Sequence, residues 1–343
     1  MKALYTTAPR QYGLVERPEP VPGPDDALVK VLRAGLCHTD VNIREGTAGH
    51  VRYPFIPGHE FAGVVVERGK EAWNVAVGDR VAVHHAVACG RCLPCRQGDT
   101  MACENYTEMG ASRDGGFAEY CLAPARHVYQ LPDHISVDEG ALLEPLANAV
   151  SAVGRARRGL GERVVVIGPG PIGLLVLQVA RLAHPSVLAL VGTRDERLAI
   201  GRQLGASHCI NVKLPGARDE LDAVLGGKGA DAVFVCAGTR QALELAMEIV
   251  GFRGCIVMEA TLGPDETVVV RPSHLLERQG ASLLGVNGWV TAEYVQALGL
   301  LSRGQVAVKP LVTHQLPLDE WEAAFDLITA RKSEAIKVEF AFE

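Results

Sequence analysis

At 343 residues the chain is long for a single hydrophobic core, and two domains are the natural expectation. With 48% hydrophobic residues, 22% charged residues and a net charge of −6, it has the make-up of a soluble globular protein and offers no basic surface for nucleic acid or an anionic membrane. The opening MKALYTTAPRQYG lacks the apolar core of a signal peptide, the apolar run after Pro171 is broken by Gln178 and Arg181, and nine cysteines, an odd number, argue for a reducing compartment, so a cytoplasmic protein is expected.

The first stretch with chemical content is CHTD, residues 37–40, followed by PGHEFAGVVVERG, residues 57–69. Cys37 is a soft ligand, and His59 and Glu60 stand side by side ahead of a β-branched run that reads as a strand. Glycines at 58, 63 and 69 let the backbone turn and pack closely around the pair. Thiolate, imidazole and carboxylate together form a mixed set typical of catalytic zinc, where one position stays open. Each residue alone has a plainer reading, since a lone histidine is more often a core or surface residue than a ligand.

Next comes VACGRCLPCRQGDTMAC, residues 87–103, with Cys89, Cys92, Cys95 and Cys103 in a C-x2-C-x2-C-x7-C pattern. Consecutive x2 spacings gather thiolates around a tight knuckle, and Gly90, Pro94 and Gly98 supply turns. Four thiolates leave no open position, so a zinc ion here is structural. An iron–sulfur cluster is the main rival, although the fourth cysteine fits that pattern poorly; unliganded or disulfide-forming cysteines are the other alternative. Further on, Glu144 in LLEPLANAV adds a carboxylate just before an expected helix, with Pro145 suited to its first turn; it can equally serve the helix end alone.

ERVVVIGPGPIGLLVLQVARLA, residues 162–183, reads as a buried strand, a glycine turn and an amphipathic helix. Its turn, Gly168-Pro169-Gly170-Pro171-Ile172-Gly173, is a G-x-G-x-x-G in the strand-to-helix setting that places a pyrophosphate over a helix N-terminus. Strand and helix patterns then alternate: VLALV before DERLAIGRQLG, DAVFVCAG before RQALELAMEIV, then GCIVMEA. That order predicts a parallel, doubly wound sheet. Where an NAD site usually has an acid for the ribose 2′-hydroxyl, this chain has Gly192, Thr193 and Arg194, with Arg197 one helical turn beyond. Glycine makes room, threonine hydrogen-bonds and arginine pairs with a 2′-phosphate, which favours NADP(H) over NAD(H). The alternative leaves Arg194 in solvent and gives the acid's task to Asp195, which arrives one position late, in the helix's first turn.

Together these residues resemble the zinc-dependent medium-chain dehydrogenase family, which includes alcohol, sorbitol and threonine dehydrogenases. The resemblance runs from MKALY and DALVKVLRAGLCHTD to PLVTHQLPLDEWEAAFDLI, and GHEFAGVVVERG, the four-cysteine loop and GPGPIG are its strongest motifs. The Glu144-Pro145-Leu146 element is similar to the polyol and threonine branches. The resemblance implies an α/β protein with a GroES-like, β-rich catalytic domain, residues 1–145 and 289–343, and a doubly wound Rossmann coenzyme domain, residues 146–288, with the active site in the cleft. It implies two zinc ions per chain: a catalytic one held by Cys37, His59 and a carboxylate, with Glu60, Glu144 or both as the choice, and a structural one in the cysteine loop. It also gives Thr39 the hydroxyl that meets the substrate oxygen and His38 a contact with coenzyme phosphate. The implied chemistry is hydride transfer between nicotinamide and the carbon of a zinc-polarised hydroxyl or carbonyl.

Two departures from the family stand out. Asn42 occupies the place of a proton-relay histidine in many relatives, so proton exit is expected to use water, ribose hydroxyls or another group, with His50 and His85 as candidates. In GVNGWV, residues 285–290, Gly288 and Trp289 replace an Arg-Tyr pair that holds polyols, so a bulkier or less hydroxylated substrate is expected in a pocket with Trp289. The segment GASLLGVNGW matches the family's edge strand for dimerisation, implying a homodimer or homotetramer. The remaining cysteines, at 121, 209, 236 and 255, and the pair Trp321 and Phe325 read as core; for Cys236, which ends a coenzyme-domain strand, lining the nicotinamide side is the less favoured alternative.

The reading that follows is a zinc-dependent, NADP(H)-preferring oxidoreductase acting on a secondary alcohol, polyol or amino alcohol, or the matching ketone. Its partner is that small molecule, with no nucleic acid and no membrane. An NAD-dependent L-threonine 3-dehydrogenase-like enzyme is the alternative. A non-catalytic structural or ligand-binding relative is the alternative from another class, disfavoured because Cys37, His59, Glu60 and Thr39 are all present.

Overall fold

In a computed structural model, which describes residues 1–49, 51–156, 159–263, 265–286, 288–330 and 334–343, alternating apolar residues fold as strands from the start of the chain. A hairpin of β1 (Lys2–Ala8) and β2 (Gln11–Glu16) leads to β3 (Asp26–Leu36), β4 (Glu60–Arg68) and β5 (Arg80–Val83). A short pair, β6 (Ala86–Val87) and β7 (Thr107–Glu108), brackets the cysteine loop, and β8 (Tyr120–Pro124) and β9 (Val128–Gln130) follow. Then come β10 (Arg163–Ile167), β11 (Val187–Gly192), β12 (His208–Asn211), β13 (Ala230–Val235), β14 (Val250–Met258) and β15 (Ser282–Gly285), and finally β16 (Val312–Pro317) and β17 (Lys337–Ala341).

These elements form two units. One holds Met1–Glu144, Val290–Ser302 and Val308–Glu343; the other holds Pro145–Trp289 and Arg303–Ala307. Pro145, Trp289 and Arg303–Ala307 thus group with the second unit, although the sequence reading put them in the catalytic domain. The last of these segments is tied down by Gln178, whose Oε1 accepts from Ala307 N at 2.8 Å and whose Nε2 donates to Ala307 O at 3.0 Å. Gln178 is buried, so its amide needs both partners.

In the first unit one sheet runs β16-β17-β3-β4-β5-β9, with β8 also paired to β3. β17 lies parallel to β16 and antiparallel to β3, so the last strand sits beside one of the first. Val29, Val31, Phe61, Val65, Phe117, Val338 and Phe340 fill its core, and the rings of Phe117 and Phe340 meet edge to face at 4.9 Å. Each such side chain, fully buried, contributes about 1.5–3 kcal/mol.

The second unit is a six-stranded parallel sheet in the order β12-β11-β10-β13-β14-β15, which in the unit's own sequence is 3-2-1-4-5-6, the doubly wound arrangement. Val164 to Ile167 of β10 are all buried, as a central parallel strand covered on both faces requires. Helices Pro171–Arg181, Asp195–Gln203, Ala217–Val224 and Arg240–Ile249 alternate with the strands. Thr239 caps the last of them by accepting from Ala242 N. β15, from the GASLLG segment, stands at the edge of this sheet with Leu283 exposed. Among the described residues no helix is long and apolar enough to cross a membrane.

Candidate active site

The turn after β3 ends at Cys37, the N-cap of helix His38–Glu45. The Cys37 backbone N–H donates to Asp40 Oδ2 at 2.9 Å, closing a capping box that fixes where the thiol starts. The Cys37 thiol reaches the Thr39 hydroxyl at 3.7 Å. His59 and Glu60 arrive from the other side, at the start of β4. Gly58 precedes them with φ +94°, a left-handed conformation, and its missing Cβ leaves room for the Phe117 ring. The Cys37 sulfur, a His59 ring nitrogen and a Glu60 oxygen then all lie within 4.8 Å of one another. This is a donor set suited to zinc.

The surroundings of that triad are polar and closed. Asp40, 0% exposed, places Oδ1 at 3.5 Å from His59 Nδ1. Burial opposes a charge on His59, but Asp40 and Cys37 outweigh it and hold the imidazole's pKa well above its usual value. Glu60 is buried too, and Lys337 Nζ from β17 forms an ion pair with its Oε2 and donates to Leu36 O at 3.2 Å. Glu144 sits inside the first turn of helix Leu143–Ala156, not ahead of it. It stands outside the converging triad: its Oε1 lies 3.5 Å from His85 Nδ1, while His85 Nε2 lies 3.7 Å from Glu108 Oε1. Burial, then the nearby Glu60, push the Glu144 carboxyl well above the usual carboxylate range. The rings of His85 and His59 are 5.3 Å apart. Asn42 is half-buried on helix His38–Glu45, His38 is exposed at its start, and His50 lies outside the described residues.

Cys89, Cys92, Cys95 and Cys103 converge in the same way, their sulfurs within 4.8 Å of one another and none in a disulfide. A short helical turn, Leu93–Arg96, carries the middle of the loop. Backbone N–H groups of Cys89 and Asn105 donate to the Cys103 sulfur at 3.2 and 3.3 Å, and that of Cys92 to the Cys89 sulfur at 3.5 Å. Donors from Arg91 and Cys92 lower the Cys89 thiol to about 6, toward the thiolate a metal requires.

In the second unit the turn between β10 and helix Pro171–Arg181 divides its glycines by task. Gly168 has φ +110° and no space for a Cβ beside Ala237. Gly170 faces open space, where a pyrophosphate can approach the backbone. A Cβ on Gly173 would enter the Gly168 carbonyl oxygen, so helix and turn pack backbone to backbone. Pro171 and Ile172 open the helix. Beyond β11, Gly192 packs on the Pro169 ring, Thr193 is exposed and Arg194 stands at the N-cap position of helix Asp195–Gln203 without a side-chain capping bond. Asp195 Oδ1 accepts from Asn211 Nδ2 at 2.8 Å, which engages the acid on the protein itself. Burial, then the charge of Arg194, lower Arg197 to about 10. Two guanidinium groups gathered against their mutual repulsion suit a doubly charged anion. Trp289 is buried in this unit, and the neighbouring Gly288 O accepts from Ser151 Oγ at 3.0 Å.

Sequence reasoning missed Asp40 and Lys337. Asp40 was legible as the N3 acid of a capping box within CHTD. Lys337 was hidden because a lysine in IKVEF reads as the solvent face of an edge strand, whereas β17 is covered on both sides.

The profile of the alcohol dehydrogenase GroES-like domain matches residues 23–133, and that of the zinc-binding dehydrogenase domain matches residues 171–303. An L-threonine 3-dehydrogenase of Bacillus velezensis is 34% identical over 329 residues, 95% of this chain and 94% of that protein. A sorbitol dehydrogenase of Halalkalibacterium halodurans is 32% identical over 343 residues, 98% of each. Among solved structures, a zinc-binding dehydrogenase of Sinorhizobium meliloti 1021 bound to NADP superposes with a TM-score of 0.91 at 30% identity, over 99% of both chains.

Proposed function

Since the chain belongs to the zinc-dependent medium-chain dehydrogenase family, we propose that it transfers a hydride between NADP(H) and a secondary alcohol, polyol or amino alcohol, or the matching ketone. The convergence of Cys37, His59 and Glu60 carries this reading. Those three residues would hold a catalytic zinc and Cys89, Cys92, Cys95 and Cys103 a structural one. The donor chemistry fits in both places, with mixed ligands in the first and a closed thiolate set in the second. Bound zinc supplies Lewis acidity to a substrate oxygen, and bound nicotinamide supplies the hydride acceptor or donor.

The chain's own residues do the rest. Asp40 fixes the His59 ring through Nδ1. Lys337 neutralises Glu60, and Glu144 remains a neighbouring carboxyl rather than one of the three converging ligands. Thr39 Oγ1, beside the Cys37 sulfur, would accept the proton of a substrate hydroxyl while passing its own onward. Asn42 has no titrating group, so that proton would leave through water, ribose hydroxyls or another group, with His85, between Glu144 and Glu108, as a candidate. Arg194 and Arg197 would hold the 2′-phosphate, the turn Gly168–Gly173 the pyrophosphate and His38 a coenzyme phosphate. Trp289 would bound the substrate. Reduced thiols in both cysteine sets suit the cytoplasm, and β15 at a sheet edge suits assembly as a dimer or tetramer.

A second reading, an NAD-linked threonine 3-dehydrogenase, is favoured by the relative from Bacillus velezensis. Nicotinamide reduction by zinc-loaded protein decides between them, with NADP+ and NAD+ each offered with simple alcohols, polyols, amino alcohols and threonine. Turnover chiefly with NADP+ on an alcohol or polyol supports the main reading. Turnover only with NAD+ and threonine replaces it.

A further inference from the structure

The coenzyme turn and the arginine pair account for two parts of a dinucleotide. In a doubly wound sheet the two mononucleotides lie on opposite sides of the switch between the first and fourth strands, here β10 and β13. The adenosine ribose belongs beyond β11, where Arg194 and Arg197 stand. The nicotinamide half therefore belongs over the carboxyl ends of β13 and β14. Two residues stand there: Cys236, first after β13, and Glu259, first after β14. A Cβ built on Gly173 would lie 3.3 Å from Cys236 Cβ, so this position borders the dinucleotide turn. The Glu259 backbone N–H donates to Val235 O at 3.1 Å, which pins its main chain against the end of β13.

The Glu259 side chain is half-buried in the unit. Its Oε2 is shut off from solvent and receives no hydrogen bond from any described residue. The titratable group facing it from the end of β13 is Cys236, whose thiol is kept neutral by burial and then by Glu259 itself. Burial alone pushes the Glu259 carboxyl up to about 8. A carboxylate placed so is costly unless a positive charge comes to it. The oxidised nicotinamide ring is cationic and the reduced ring is neutral.

We propose that Glu259 is the counter-ion of the oxidised nicotinamide ring, ionised while the cationic ring is bound and protonated when the ring is reduced or absent. This inference rests on the coenzyme reading above. It gives the site a proton-linked preference between the two redox forms, which the pyrophosphate and ribose contacts, common to both, do not supply.

The test is the dissociation constant of each oxidised and reduced coenzyme, NADP+ and NADPH, NAD+ and NADH, for zinc-loaded wild type and Glu259→Gln between pH 6 and pH 9. The readout is quenching of protein fluorescence. Glutamine copies the neutral form that the free protein already holds, so folding is not at risk, and a thermal melt checks it. In wild type, affinity for the oxidised form rises with pH, by up to about tenfold per unit below pH 8, while affinity for the reduced form does not. In Glu259→Gln that rise disappears, oxidised coenzyme binds roughly tenfold more weakly at pH 8.5, and reduced coenzyme binds within about twofold of wild type. Equal pH slopes for the two proteins overturn this inference alone. Failure of wild type to bind any of the four coenzymes overturns the coenzyme reading, and this inference with it.

Discussion

Lys337 Nζ and Glu60 Oε2 form an ion pair between two residues that are 3% and 1% exposed. Gly35 on β3 leaves the space for it, since a Cβ there would meet both side chains. Removing the lysine strands a buried carboxylate, which typically costs 3–5 kcal/mol, whereas removing both charges costs far less. In metal-free protein, Lys337→Met should therefore lower the free energy of unfolding by about 3 kcal/mol, and adding Glu60→Gln should recover most of it. Urea denaturation measures both, and equal stability of the single and double variants would show that the pair carries no weight. Zinc brings positive charge of its own, so the single variant's deficit should shrink in zinc-loaded protein.

The two cysteine-containing sets should lose metal independently. Wild type should hold two zinc ions per chain. Cys95→Ser should hold one and show faster amide exchange across residues 89–103, because a closed structural site supplies folding energy to its loop. Cys37→Ser should also hold one, with exchange in that loop unchanged. Metal analysis with hydrogen exchange separates these outcomes, and loss of both ions from either variant would contradict the assignment.

Coenzyme choice should follow the arginine pair. A charged hydrogen bond contributes about 1.5–3 kcal/mol, so Arg194→Ala should weaken NADP+ by roughly 10- to 100-fold and leave NAD+ nearly unchanged. The common exchange at the end of β11, Gly192→Asp, should instead weaken both coenzymes, because its Cβ would lie 2.6 Å from the Pro169 ring and displace the dinucleotide turn. Titration of each variant with both coenzymes is the check. A Gly192→Asp protein that binds NAD+ well would refute the steric argument.

Acid should unfold the first unit through His84 and His127. Their rings stack at 5.5 Å, with the Nδ1 atoms 3.3 Å apart, and His84 also meets Tyr294 at 4.8 Å. Burial, then the neighbouring His127, lower His84 to about 3; burial, then Arg126, lower His127 to about 4. The unfolded chain takes these protons near pH 6.5, while the fold refuses them until much lower pH. The stability they confer is thus full above pH 6.5 and is lost as pH falls, at about 1.4 kcal/mol per unit for each histidine. His127→Gln should remove one share of that slope in stability measured from pH 7 to pH 4.5. An unchanged slope would mean the histidines are charged in the fold.

What was legible in the sequence was what lies close together along it. The four cysteines span residues 89 to 103 and the dinucleotide turn residues 168 to 173, so spacing alone implied their geometry. Cys37, His59 and Glu60 were legible by type, because few other tasks need that mixture, and the strand–helix alternation from 163 onward implied the parallel sheet that is found. Lys337 was not legible, since no local pattern pairs a lysine on β17 with a glutamate on β4. Nor was the position of Glu144 relative to the triad, which depends on where His85 stands between two carboxylates. The segment 303–307 is tied to the second unit by hydrogen bonds from Gln178 and Arg181, and no periodicity reports those.

The placement of β17 between β16 and β3 sets an order of events during synthesis. A ribosome releases β3, β4, Cys37, His59 and Glu60 early, and the whole sheet of the second unit can form before β17 exists. Until residues 337–341 emerge, Arg33–Leu36 of β3 lack their strand partner, although Asp26–Lys30 already pair with β8, and Glu60 lacks Lys337. The first unit's sheet should therefore be completed only after the residues of the second have been made. A chain interrupted shortly before its end should contain a finished coenzyme-domain sheet beside a first unit that cannot close, and quality control should recognise that exposed edge.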